Sequence, residues 1–92
     1  MRIIQEYIDI QTDEISVVTA IFIGDYAIRI FFNDGKSKLV DFKTFLEKSS
    51  HPSIKKYLDE DKFKQFKVIE GNLNWNDYEL IFPVADLYNG KI

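Results

Sequence analysis

The stretch from Val17 to Gly35, VVTAIFIGDYAIRIFFNDG, limits what this chain can fold into more than any other part of it. Tyr26, Ile28, Ile30 and Phe32 recur at every second position, which in a strand places them on one face and Ala27, Arg29 and Phe31 on the other. The β-branched run 17–23 precedes them across a turn at Gly24-Asp25. Asn33-Asp34-Gly35 follows, and Asp-Gly after a strand favours a hairpin because glycine accepts the positive φ of a tight turn. Residues 36–41 return as a third strand, with Leu39 or Val40 facing inward. Residues 17–41 are therefore expected to form a three-stranded antiparallel meander.

After Asp41 the period changes. Phe42, Phe45 and Leu46 are spaced as one face of a helix. Ser49-Ser50-His51-Pro52 ends it, because proline disfavours helix in the residue before it and can open the next helix in its first turn. Ile54, Tyr57 and Leu58 repeat the helical spacing, and Asp59 is placed to cap a third piece carrying Phe63 and Phe66. Helices this short are unstable alone and must lie against a sheet. Residues 67–70 and 73–75 read as a hairpin about Gly71-Asn72. Asn76-Asp77 is a second turn, and residues 79–82 are a last strand ended by Pro83, which cannot donate to a ladder. Residues 84–88 form one helical turn closed by Asn89-Gly90. The expected fold is α+β: an antiparallel sheet of five to six strands, meander then hairpin, with two or three short helices on one face. Ahead of it, residues 1–14 read as an extended segment because their isoleucines are β-branched and no helix cap is visible. Ile3, Ile4, Tyr7 and Ile8 also fit a helical stripe, and periodicity leaves both conformations open.

Ninety-two residues make a single domain, 1–92, with neither repeat nor linker. A domain this small has a thin core and needs dense packing, a metal, disulfides or a partner. Cysteine is absent, which excludes disulfides and thiolate metal sites; eight Phe, five Tyr and one Trp supply the packing instead. The opening Met1-Arg2-Ile3-Ile4-Gln5-Glu6 turns acidic too early for a signal peptide. The longest apolar stretch, 17–24, is far below the roughly 20 residues that span a bilayer. A cytoplasmic protein is expected.

Several short patterns occur together in a fixed order: Asp25-Tyr26-x-Ile28-x-Ile30-x-Phe32-x-Asp34-Gly35, Val40-Asp41-Phe42, Leu58-Asp59, Phe63, Phe66, Val68, Gly71-x-Leu73-x-Trp75, Leu80 and Asp86-Leu87-Tyr88. This ordered set resembles the bacterial family known as domain of unknown function 2442, over residues 17–88, with 1–14 as an N-terminal extension beyond the family's usual start. The family usually has Asn-Gly after the tryptophan. Asn76-Asp77-Tyr78 stands there instead, which implies a shifted turn before the last strand. The resemblance implies an α+β fold and a bacterial cytoplasmic setting, and it implies no established activity. Family members are suspected of acting beside a small partner protein, in gene pairs of the toxin–antitoxin kind.

Catalytic chemistry finds little support in the residues. His51, the one histidine, stands beside Pro52 in a polar turn without the partners that a general base or a metal site needs. Asp59-Glu60-Asp61 lacks the alternation of a calcium loop and suits a helix N-terminus better. Asp41 and Asp86 flank apolar runs and are candidate buried structural acids. No serine lies in a nucleophile elbow, and the four isolated glycines make no phosphate-cradling loop. The expectation is a non-enzyme without cofactor or metal.

Two binding readings remain. Net charge is −3, yet residues 36–67 carry nine Lys against five acids. Lys55, Lys56, Lys62, Lys64 and Lys67 are therefore candidate nucleic-acid contacts, against which stand an acidic pI and only two arginines. The other reading starts from surplus apolar character. Phe31 and Phe32 must point to opposite faces of one strand, and residues 78–88 are rich in large apolar side chains. A sheet covered on one face leaves some of these exposed, which marks a protein partner or self-association unless residues 1–14 fold back over that face. Arg29, Phe31, Tyr78 and Tyr88 are the candidate protein contacts. The leading expectation is a protein-interaction module, one member of a two-gene regulatory pair; the alternative is a nucleic-acid-binding accessory.

Overall fold

A computed structural model describes residues 15–92, and the expectations for residues 1–14 lie outside the described residues. The meander forms as the alternation requires. Strands β1 (Val17–Gly24), β2 (Ala27–Phe32) and β3 (Ser37–Asp41) pair antiparallel in that order. Ile28, Ile30, Phe32 and Val40 are buried on the inner face, and Val40, not Leu39, is the inward residue of β3. The first turn lies one residue later than expected. Gly24 pairs with Ala27, so Asp25 and Tyr26 are the two loop residues, with φ of 49° and 64°. That is the left-handed pair of a type I′ hairpin, whose twist matches the flanking strands. Tyr26 tolerates it because both ends of the residue are held: Phe42 N–H donates to its carbonyl, and its hydroxyl donates to the Leu58 carbonyl.

Helix α1 (Lys43–Lys48) follows, opened by Asp41, whose carboxylate accepts Lys43 N–H at 2.9 Å. Helix α2 (Pro52–Lys55) runs into a 3-10 turn (Lys56–Leu58), and α3 (Glu60–Phe63) is capped by Asp59, which accepts Asp61 N–H. The chain then forms β4 (Lys67–Ile69), β5 (Asn72–Trp75) and β6 (Leu80–Ile81), and ends in α4 (Val84–Asn89) with Gly90 as a left-handed C-cap. The tight turn joining β4 and β5 is Glu70-Gly71, with Asn72 already in the strand. No helix among the described residues is long and apolar enough to cross a membrane.

Two features differ from the expected architecture. Among the described residues there are two three-stranded antiparallel sheets, β1-β2-β3 and β4-β5-β6, instead of one sheet of five to six strands, and there are four short helices. The physical reason lies at Gly71. Val17 N–H donates to the Gly71 carbonyl at 2.9 Å, so the sheets meet where the first strand begins. Gly71 belongs to a turn, with φ of 82°, and a turn residue cannot continue into the second and third rungs that would fuse the ladders.

The core fills the space between the sheets and under the helices. Trp75 is 1% exposed and touches the rings of Phe42, Tyr57, Phe63, Phe66 and Phe82, with centroids 5.5–6.2 Å apart. Its indole N–H donates to the Phe63 carbonyl at 2.7 Å. Phe22 and Tyr26 bring the first sheet into the same cluster through Phe63. Asn74 is the one buried polar residue among the described residues, and it is satisfied: its amide donates to the carbonyls of Lys67 and Asn72, and its oxygen accepts Tyr78 N–H. That last bond restrains the Asn76-Asp77-Tyr78 turn, in which all three φ are positive.

Candidate functional site

Antiparallel registry places side chains row by row on the outer face of the first sheet, because directly opposed residues project to the same side. Ile21, Arg29 and Leu39 form one row across β1, β2 and β3. Thr19, Phe31 and Ser37 form the next. Two register irregularities in β1, between Val17 and Thr19 and between Phe22 and Gly24, place Val18 and Ile23 at the ends of the patch. Val18 is 59% exposed, Ile21 52%, Ile23 56% and Leu39 53%. Four aliphatic side chains on one small sheet, each more than half in water, are more than the scattered apolar surface of an ordinary exterior.

Arg29 sits at the middle of this patch, half-buried between Ile21 and Leu39. Its guanidinium donates to Ser37 Oγ at 3.4 Å, and among the described residues it forms no ion pair with a carboxylate. Phe31 is half-exposed beside it and stands outside the core cluster. The arrangement offers an apolar surface with one cation at its centre.

The other two expected contact residues lie elsewhere. Tyr88 packs edge-on against Phe32 at 5.0 Å and donates its hydroxyl to Asp34 at 2.6 Å, which puts it on the inner side of the sheet, away from Phe31. Tyr78 is 39% exposed in the turn between β5 and β6. Thus the structure brings Arg29 and Phe31 together, but not Tyr78 or Tyr88 with them. Val18, Ile21, Ile23 and Leu39 complete the patch. Their exposure follows from the alternation of β2, since fixing Ile28 and Ile30 inward fixes Leu39 and Ile21 outward through the pairing.

Asp41 and Asp86 are both exposed, so neither is a buried acid. Asp41 is half of a helix-opening turn and Asp86 lies in the first turn of α4, where a carboxylate meets unpaired backbone N–H groups. His51 is exposed, with Nδ1 3.4 Å from Ser53 Oγ. Among the described residues no three His, Asp or Glu side chains converge in a way that could hold a metal ion.

Three of the five candidate lysines, Lys56, Lys62 and Lys67, line an open groove of about 720 Å³ with Phe66, Trp75 and Asn76. Lys55 lies outside it, near the Glu47 carbonyl, and Lys64 covers the Phe22 ring. Much of the groove's charge is neutralised within the fold. Lys56 pairs with Glu79 at 2.7 Å, Lys62 approaches Asp59 at 3.8 Å, and Asp77 lies on the same wall. Glu79 is the hub here: it accepts bonds from Lys56, from the Tyr57 hydroxyl at 2.7 Å and from Asn76 at 3.1 Å. These bonds, the one from Lys56 first, lower its carboxyl to about 2. Burial, then the bond to Glu79, raises the Tyr57 phenol to about 12.

A depressed carboxyl stabilises the fold wherever it is ionised in both states and loses that effect as pH falls through the gap between its unfolded and folded values. For Glu79 that window runs from about 4.5 down to about 2. Glu79→Gln should therefore melt below the native protein at neutral pH, and the two melting temperatures should converge as pH falls below about 4.5. Melts by circular dichroism across this range test it; a gap that stays constant with pH would mean that the carboxylate charge does not hold Lys56 and Tyr57 in place.

The comparisons with known proteins add one finding. The family described as Protein of unknown function (DUF2442) matches residues 17–92, which is most of the chain and all of the described secondary structure. No curated protein and no solved structure matches the chain.

Proposed function

This chain belongs to the DUF2442 family, and from that premise and the open outer face of β1–β3 we propose that it is a non-catalytic module that binds another protein, as one member of a two-protein regulatory pair acting in the bacterial cytoplasm. The observation that carries the reading is the patch of Val18, Ile21, Ile23 and Leu39, each more than half exposed, around Arg29 and Phe31. Its chemistry specifies the partner. An apolar element carrying a carboxylate would bury the aliphatic side chains and pair the Arg29 guanidinium, whose fork geometry suits a carboxylate in a partly desolvated setting. Arginine and aromatic side chains near the centre of an interface often dominate its energetics.

The test compares two forms of the full chain, tagged at native expression level and purified from the host. Phe31→Ala should fold, with a melting temperature only a few degrees below the native protein, because Phe31 lies outside the core. It should retain a stoichiometric partner at least tenfold less well than the native chain. Equal retention by both forms would remove the outer face from consideration. Collapse of the Phe31→Ala fold would show that the ring is core.

The groove lined by Lys56, Lys62 and Lys67 favours a second reading, binding of a nucleic-acid strand. It ranks lower because Glu79, Asp59 and Asp77 offset the lysines that would contact phosphates. Retention on heparin that falls steeply with salt would favour it, since phosphate binding releases counterions.

A further inference from the structure

Strand β3 is the last strand of its sheet, and its outer edge is a row of backbone groups. Phe32 N–H donates to the Lys36 carbonyl and Phe42 N–H to the Tyr26 carbonyl, so the even-numbered residues of β3 are the ones bonded to β2. Bonded and non-bonded pairs alternate along an antiparallel ladder, which turns the N–H and C=O groups of Ser37, Leu39 and Asp41 away from β2. Among the described residues no backbone group pairs with them. We propose that a second copy of the chain pairs antiparallel with this edge, joining the two meanders into one continuous sheet, with Arg29 of each copy reaching Asp41 of the other. The pairing uses the strand edge and leaves the outer apolar face open, so it goes beyond the docking of another protein on that face.

Register selects the arrangement. A two-fold axis normal to the sheet keeps the outward side chains of both copies on one side. Centred on Leu39, it opposes Leu39 to Leu39 and Ser37 to Asp41 of the second copy, so every outward residue of the strand exchanges hydrogen bonds across the axis. A slip of two residues one way leaves Asp41 unpaired and opposes Lys38 to Lys38, which repel. The same slip the other way leaves Ser37 unpaired and sets Asp41 against Leu39.

Charge supports the central register. The Arg29 guanidinium is drawn across β3 towards its edge, where it donates to Ser37 Oγ at 3.4 Å, and among the described residues it pairs with no carboxylate. Directly opposed side chains stand about 4.5–5.5 Å apart at Cβ. Asp41 of the second copy, opposite Ser37, is therefore beside that guanidinium. Its Oδ1 accepts Lys43 N–H, which leaves Oδ2 for the arginine. A guanidinium has donors enough to keep Ser37 and to take a further carboxylate from a protein docked on the outer face. Leu39, 53% exposed in the single copy, is covered by its counterpart. Lysine on an edge strand ordinarily deters pairing, but the Lys38 ammonium lies 5.9 Å from the Tyr88 ring on the inner side.

The absence of native cysteine gives a clean test in the full chain. Leu39→Cys and Ile21→Cys each place one thiol in the same row of the outer face, at positions 53% and 52% exposed. Across paired edges Leu39 meets Leu39, whereas the two Ile21 positions stand five strand spacings apart, roughly 24 Å and beyond the reach of a disulfide. Under mild oxidant Leu39→Cys should therefore form a covalent dimer about ten or more times faster than Ile21→Cys. Random collision has no reason to favour one over the other, because their exposure is the same.

Sedimentation velocity reads the pairing without a cross-link. A ladder this short makes a small interface, below about 1,200 Å², so the native chain should dimerise at about 10–100 μM. Arg29→Glu and Asp41→Lys should each weaken the dimer about tenfold or more by opposing like charges, and the two combined should restore it to within about threefold of native. Equal cross-linking at the two positions, a native chain still monomeric at about 100 μM, or a folded double variant as weak as the single ones would overturn the proposal.

Discussion

Trp75→Ala is expected to unfold the domain under ordinary conditions. Truncating a buried tryptophan costs about 3–5 kcal/mol through lost transfer energy and the cavity left behind. Here the ring packs against five other aromatic rings, drawn from the end of the first meander, the helical segment and the second sheet, so no single element can move to fill the gap. The substitution also removes the donor to the Phe63 carbonyl, and a buried acceptor left unpaired costs about 1–3 kcal/mol more. A domain of this size has a total stability near the lower end of about 5–15 kcal/mol. Trp75→Phe separates the two contributions. It keeps a ring in the cluster and loses the indole N–H, so it should remain folded with its denaturant midpoint lowered by an amount equivalent to about 1–3 kcal/mol. Far-UV circular dichroism is the suitable probe, because Trp75 is the only tryptophan and both substitutions remove the fluorescent reporter. A folded Trp75→Ala with a midpoint near the native one would show that the second sheet does not depend on this cluster.

The same residues show how far the fold could be read from the chain. The meander was legible because its signals agree: alternation in residues 26–32, Asp34-Gly35 at the turn, and β-branched residues on either side. The helical segment was legible from the i, i+3, i+4 spacing and from Pro52 and Asp59, which open α2 and α3. What the sequence hid were long-range relations. Nothing local says that, among the described residues, the hairpin around Gly71 meets the start of β1 by one backbone hydrogen bond and goes no further, so a single sheet is the natural expectation. Nor does Asp41 or Asp86 declare its exposure, since a carboxylate at an element terminus looks alike in sequence whether buried or not. At the candidate site, Arg29 and Phe31 were readable because one strand's alternation places both outward. Tyr78 and Tyr88 were grouped with them only by being apolar and late in the chain, and the fold separates them from that face. The exposure of Leu39 needed the register between strands, which propensity does not provide.

The junction between the sheets carries the second large effect. Gly71 is in the left-handed region, where an L side chain costs about 1–2 kcal/mol. A Cβ built on it would also lie 2.7 Å from Ser16 Cβ, closer than such atoms approach in real structures. Ser16 is held from both ends of its own peptide unit, its N–H by Asn33 Oδ1 and its carbonyl by Asn33 N–H, so it cannot simply swing aside. Relief has to come from the hairpin, and moving the hairpin lengthens the bond from Val17 N–H to the Gly71 carbonyl. Gly71→Ala is therefore expected to cost about 2–4 kcal/mol, adding the backbone strain, the steric displacement and a weakened hydrogen bond. A double-mutant cycle distinguishes the parts. Removing the opposing side chain with Ser16→Gly leaves the strain at residue 71 but abolishes the clash, so in that background Gly71→Ala should cost only about 1–2 kcal/mol. An equal cost in both backgrounds would mean that the two sheets do not press on each other at this point. The predicted coupling would show that the entry of the chain into β1 is fixed by the second sheet.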